Sequence, residues 1–186
     1  MKMKLKWITL ALVAMLSMSV LTACQTNQDS TGSSNAQQQD IALSKFHQAV
    51  KDAYGENYIP SMEFTKEELS ERFGVSADWY DDAFAEGPMM SGHVDTFVAI
   101  KAKDGKAEEV EKALNAYRDT QINDTLQYPM NIEKVNASKV LKQGNYVFFV
   151  MLGGFGEEET EEQAKKYAEE QTQIGVDAIN KVLSGK

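Results

Sequence analysis

The chain has 186 residues, 42% of them hydrophobic and 25% charged. Those proportions are ordinary for a globular domain and exclude a disordered polymer, a collagen and a polytopic membrane protein. Lys and Arg number 19 against 28 Asp and Glu, a net charge of −9 that becomes −12 without the three lysines ahead of Cys24. An acidic surface repels phosphate backbones, so nucleic acid is not an expected partner.

The first six residues carry Lys2, Lys4 and Lys6 and no acid, and a mostly apolar run follows from Trp7 to Val20. That run is short of the roughly 20 residues a spanning helix needs and suits the apolar part of a secretory signal. Leu21-Thr22-Ala23-Cys24 closes it. The arrangement resembles the lipobox of bacterial lipoprotein signal peptides. It implies a signal peptide over 1–23, with Cys24 lipidated and becoming the mature N-terminus. Cys24 is the sole cysteine, so no intramolecular disulfide is available to compete for it. Residues Gln25 to Asp40 hold alanine as their only apolar member. They cannot bury enough surface to offset their ordering entropy, which predicts a tether over 24–40 with a reach of about 20–25 Å. The expected localisation is therefore the extracytoplasmic face of the cell membrane, with the bilayer held through lipid on Cys24.

The remainder, 41–186, suits one domain. Leu43, Phe46, Val50 and Tyr54 have helical spacing, and Gly55 is a natural stop. Thr65 with Glu68 forms a capping-box pattern ahead of a short helix through Leu69 and Phe73. Tyr80 to Glu86 is the faintest strand signal. Val94 to Ala102 alternates as a strand, with Val94, Val98 and Ile100 on one face and His93, Asp95, Phe97 and Ala99 on the other. A helix is predicted from about Lys106 to Ile122 on Val110, Leu114 and Tyr117. Ala137–Leu141 and Tyr146–Leu152 read as a hairpin turning at Gln143-Gly144-Asn145. Its second strand is apolar on both faces, so it should be central and covered on both sides. A long helix with an acidic head follows Gly156, with Tyr167, Ile174, Ala178 and Val182 on its buried side. The order implies an α+β fold: an antiparallel sheet of about four strands, two long helices on one face, and two short N-terminal helices. A permuted ferredoxin-like arrangement fits that order.

Three patterns bear on chemistry. Ser91, His93 and Asp95, with Glu86 nearby, would share one face of a continuous strand. A small cell-envelope hydrolase is the enzymatic alternative they raise. Neighbours along one strand stand about 7 Å apart, which suits a polar cluster better than a nucleophile meeting its base. His93 and Asp95 offer two zinc ligands where three or four are wanted, and His47 reads as a helix-edge residue. No metal, cofactor or catalytic set is therefore expected. Leu152-Gly-Gly-Phe-Gly156 is a glycine-rich strand-to-helix loop, but Glu157, Glu158, Glu159, Glu161 and Glu162 would repel a phosphate while complementing their own helix dipole. The sequons at Asn123 and Asn136 are incidental in a bacterial lipoprotein.

The central segments are similar to small Gram-positive lipoproteins classed as domain of unknown function 4358. The resemblance is carried by Met89-Met90-Ser91, by His93 to Phe97, and by Ala113 to Arg118. Tyr128-Pro129, Ala137 to Val140 and Gly144 to Phe149 complete it. It spans roughly Tyr80 to Gly153 and implies no established activity, cofactor or catalytic residue. The functional expectation is a non-enzymatic binding or accessory module with an envelope protein or small molecule as partner. Its candidate site is a groove floored by Phe97 with His93 and Asp95 at one end, wherever the N-terminal helices leave that face uncovered.

Overall fold

Helix α1 (Leu43–Tyr54) turns Leu43, Phe46, Val50 and Tyr54 to one buried side, as their spacing predicts. Helix α2 (Lys66–Phe73) starts on the expected capping box. The Thr65 hydroxyl accepts the Glu68 N–H at 3.2 Å, and the Glu68 carboxylate accepts the Thr65 N–H at 2.9 Å. Residues 40–156 and 160–185 are described by the computed structural model, and they belong to one compact unit. The expected signal peptide, Cys24, nearly all of the expected tether and Glu157 to Glu159 lie outside the described residues.

The sheet has five strands, antiparallel throughout, in the order β1-β2-β3-β5-β4. They are β1 (Met62–Glu63), β2 (Tyr80–Gly87), β3 (Thr96–Ala102), β4 (Lys139–Gln143) and β5 (Tyr146–Met151). The hairpin of β4 and β5 turns through Gly144 and Asn145, with Gln143 paired to Tyr146. Every residue of β5 is buried, as a strand apolar on both faces requires. The α+β reading from sequence therefore stands, with the edge strand β1 bringing the sheet to five.

The helices are placed differently from the expectation. Val98, Ile100, Val147 and Phe149 pack with Leu69, Phe73, Val110 and Leu114, which belong to α2 and α3 (Ala107–Asn123). Their alternates Phe97, Ala99, Phe148 and Val150 pack with Phe46, Val50, Ala178 and Ile179, from α1 and α5 (Glu161–Leu183). The two long helices thus cover opposite faces, each beside one shorter helix. That is a three-layer arrangement, not the single helical layer of a ferredoxin-like fold. The reason lies in β3 and β5, whose alternating residues are apolar on both sides and leave two faces to shield from water.

A further helix, α4 (Ile132–Ala137), occupies the stretch just before β4 and takes Ala137 from the expected strand.

Strand register defines two ends of the domain. Gly87, Thr96 and Met151 lie at one end of the sheet, and Tyr80, Ala102 and Tyr146 at the other. The first is called the loop end, because the 88–95, 124–131 and 152–156 segments gather there. The second is the hairpin end, where β4 turns into β5. The described chain begins at the hairpin end: Lys101 Nζ lies 2.7 Å from the Asp40 carboxylate, and the Ile41 N–H donates to the Tyr146 hydroxyl at 2.7 Å.

Candidate functional site

A buried ion pair sits at the loop end. Asp95 is fully buried, and both its oxygens receive Lys134 Nζ, at 2.8 and 2.9 Å. Lys134 comes from α4, 39 residues away in sequence. Burial pushes its ammonium below the usual lysine range, and Asp95 opposes that shift. The Phe155 ring lies 4.0 Å from Lys134 Nζ, adding a cation–π contact. His93 Nδ1 faces Asp95 Oδ2 at 3.6 Å, beyond hydrogen-bond distance.

Two cavities flank this pair. One, of about 320 Å³, is lined by Lys134, Leu152, Phe155, Tyr167 and Gln171 among others. Its rim loop is pinned to α5, where the Gly154 N–H donates to Gln171 Oε1 at 3.1 Å. Gly153, at φ 136°, passes so close that an added Cβ would lie 2.5 Å from Gln171 Cβ. That is the tight turn expected from the glycines. The second cavity, of about 570 Å³, is lined by Met62, Met89, Met90, Met151, Tyr117 and His93 among others.

A second polar cluster lies on the α1 face. The Glu86 carboxylate receives the Tyr58 hydroxyl at 3.0 Å and faces His47 Nε2 at 3.1 Å. His47 packs against the Phe84 ring at 4.2 Å between centroids. Burial, and then the Glu86 charge, hold the Tyr58 phenol above its ordinary range.

The expected site residues separate in space. The chain turns at 90–93, where the His93 N–H donates to the Met90 carbonyl at 3.2 Å, and β3 begins only at Thr96. Ser91, His93 and Asp95 therefore do not alternate along one strand. Ser91 is exposed, no hydrogen bond joins it to His93 among the described residues, and Asp95 is committed to Lys134. Phe97 is fully buried on the α1 face, near His47 and Phe84. The groove expected from His93, Asp95 and Phe97 is not one continuous surface, because α1 covers Phe97 and α4 supplies a lysine to Asp95. His93 and Ser91 both line the second cavity, whereas Asp95 and Phe97 do not. His47 is engaged with Glu86, and among the described residues no group of three or more His, Cys, Asp or Glu is placed to hold a metal ion.

The residue that sequence reasoning missed is Lys134. A lysine beside Val135 carries no local mark of burial, and its partner is distant in the chain. Asn131, also missed, is buried and donates to the Gly92 carbonyl at 3.1 Å, tying the 88–95 loop to α4.

Exposure is strongly polarised. Among the described residues, the large apolar side chains that stand in solvent are Met62, Met89 and Met90, five from Ile122 to Ile132, and Phe155. All belong to the loop end. Leu126 is 89% exposed and Met89 76%.

Comparison with protein families matches residues 53–152 to Domain of unknown function (DUF4358). No curated protein and no solved structure matches the chain. The match covers more than half of the sequence, and the chain belongs to the DUF4358 family.

Proposed function

We propose that this protein is a lipid-anchored, extracytoplasmic binding module that engages its partner through the loop end and carries out no reaction of its own. The observation that carries this reading is the polarity of the domain. Its exposed apolar side chains gather at one end, and the chain leading back to Cys24 departs from the other. A domain held by a leash at its hairpin end presents its loop end away from the anchor. The basic, apolar and cysteine-ended N-terminus supports the anchor, and the acidic mature chain disfavours direct docking on anionic lipid. Among the described residues no helix is long and apolar enough to cross a membrane, so in this reading Cys24 alone provides attachment. The hydrolase alternative has no support in the placement of Ser91, His93 and Asp95.

Two measurements test the reading. Cys24→Ala should abolish lipid labelling and release or mis-process the protein. A wild type that takes up no lipid label, with Cys24→Ala still fully membrane-bound, would overturn the anchor. A photo-crosslinker placed at Leu126 should capture a discrete partner in intact cells, while one at Lys142 at the hairpin end should not. Equal capture from both ends would overturn the loop end as the binding surface.

A further inference from the structure

Five methionines follow Asp40 in the sequence, and four of them, Met62, Met89, Met90 and Met151, line the same cavity as His93. Met151 is buried in its floor, whereas Met62, Met89 and Met90 are exposed at its mouth. Thioethers are soft ligands that select Cu(I) over the harder divalent ions. The three rotatable bonds of methionine let such side chains close on an ion without moving the backbone.

A second observation concerns the imidazole. His93 Nδ1 is buried without a hydrogen-bond partner and faces the Asp95 carboxylate at 3.6 Å, leaving Nε2 as the ring nitrogen open at the surface. Metal-bound histidines usually turn their other ring N–H to a carboxylate, which fixes the tautomer and raises ligand basicity. Asp95 is itself held by Lys134 at 2.8 Å, and an approach of about 0.5 Å would bring its oxygen within hydrogen-bond reach of Nδ1. The one cation in the cavity wall, Arg72, lies over the ring of Phe64, another wall residue, with the Glu68 carboxylate beside it. Its guanidinium lies 4.8 Å from the Phe64 ring centroid and 3.8 Å from Glu68.

We propose that this cavity is a binding site for a single Cu(I) ion, held by thioethers of Met62, Met89 and Met90 and by Nε2 of His93. It names a ligand class for the loop end and so rests on the reading of that end as a binding surface. Coordination displaces loosely held water, and the tautomer with its proton on Nδ1 leaves Nε2 free to ligate. No proton need be released.

The test uses the full chain in detergent carrying Cys24→Ser, which removes the only thiol and leaves thioethers as the only sulfur ligands. Cu(I) is supplied anaerobically against a colorimetric chelator, and Zn²⁺ is supplied in parallel. The wild-type cavity should retain one equivalent of Cu(I), with sulfur and nitrogen scatterers in the X-ray absorption spectrum. Met89→Leu with Met90→Leu should weaken retention on the order of tenfold or more, and His93→Ala should remove the nitrogen scatterer. Leucine at these exposed positions leaves the core intact, and Met130→Leu, outside the cavity lining, should change nothing. Failure to retain Cu(I), undiminished retention in the double leucine variant, or equal retention of Zn²⁺ would overturn the proposal. Tether and membrane partner play no part in the assay. Its failure would therefore leave the anchored module standing, and failed partner capture would leave the copper site standing.

Discussion

The Tyr54 hydroxyl accepts the backbone N–H of Gly175 at 3.1 Å and donates to the Gln171 carbonyl at 2.7 Å. Those backbone groups are the ones a regular helix pairs directly, so a side chain of α1 bridges one rung of α5. The contact needs a glycine. A Cβ at Gly175 would stand 2.9 Å from Val150 Cγ1 and 3.0 Å from the Tyr54 oxygen.

Gly175→Ala should therefore destabilise the domain by about 1–3 kcal/mol, against the roughly 1 kcal/mol gain alanine gives in an open helix. Tyr54→Phe should cost less, about 0.5–1.5 kcal/mol, because the freed N–H can return to its own helix carbonyl. In the Tyr54→Phe background the alanine should cost less than it does alone, since one of its two clashing partners is gone. Urea titration of the four proteins checks this, and strictly additive losses would show that the two sites do not meet.

The Asp95–Lys134 pair yields a sharper thermodynamic cycle. Each partner alone would be a buried polar or charged group without its complement. Asp95→Asn or Lys134→Met should each cost about 3–5 kcal/mol. The double variant should fall well short of the sum, because it removes the stranded charge as well as the bond. Guanidinium denaturation reads the coupling, and a double variant as unstable as the two singles added together would contradict a mutually dependent pair.

Alkaline titration gives a third test. Burial raises the phenols of Tyr54, Tyr58, Tyr80 and Tyr117 above their ordinary value of 10.0. The folded state then keeps protons that the unfolded chain gives up. The stability tied to these groups is complete below pH 10 and drains away as the pH climbs toward the folded values. Of seven tyrosines, Tyr54 and Tyr58 above all should be missing from the ultraviolet ionisation step near pH 10 in the native protein, with the absorbance recovered in denaturant. Seven tyrosines ionising together in the native protein would mean that these phenols are solvated.

How much of this was legible in the sequence depends on how far each signal reaches along the chain. The capping box at Thr65, the period of α1 and the doubly apolar β5 are local, and each was readable from a window of a dozen residues. The count of strands fell one short because β1 is two residues long and has no period to detect. The placement of α5 beside α1 brings together residues as far apart as Tyr54 and Gly175, 121 positions in sequence, and no periodicity encodes that distance. At the site, His93 and Asp95 were named but their geometry was misread. The alternation Ser91, His93, Asp95 imitates a strand, while Gly92 and the Met90–His93 turn bend the chain first. The methionines of the second cavity come from β1, from the 88–95 loop and from the end of β5, and only folding brings them together.

The clasp around Asp40 and Ile41 has a mechanical consequence. The Ile41 N–H donates to the Tyr146 hydroxyl at 2.7 Å, and that hydroxyl returns a hydrogen bond to the Ile41 carbonyl at 3.0 Å. Lys101 grips Asp40 alongside. Tyr146 opens β5 and Lys101 lies near the end of β3, and both are inner strands, paired to each other. Tension on the preceding segment is thus delivered to the middle of the sheet before it can peel α1 away. In the anchored module proposed above, a pull on the chain ahead of Asp40 would be borne by paired inner strands, at the end of the sheet opposite the loops.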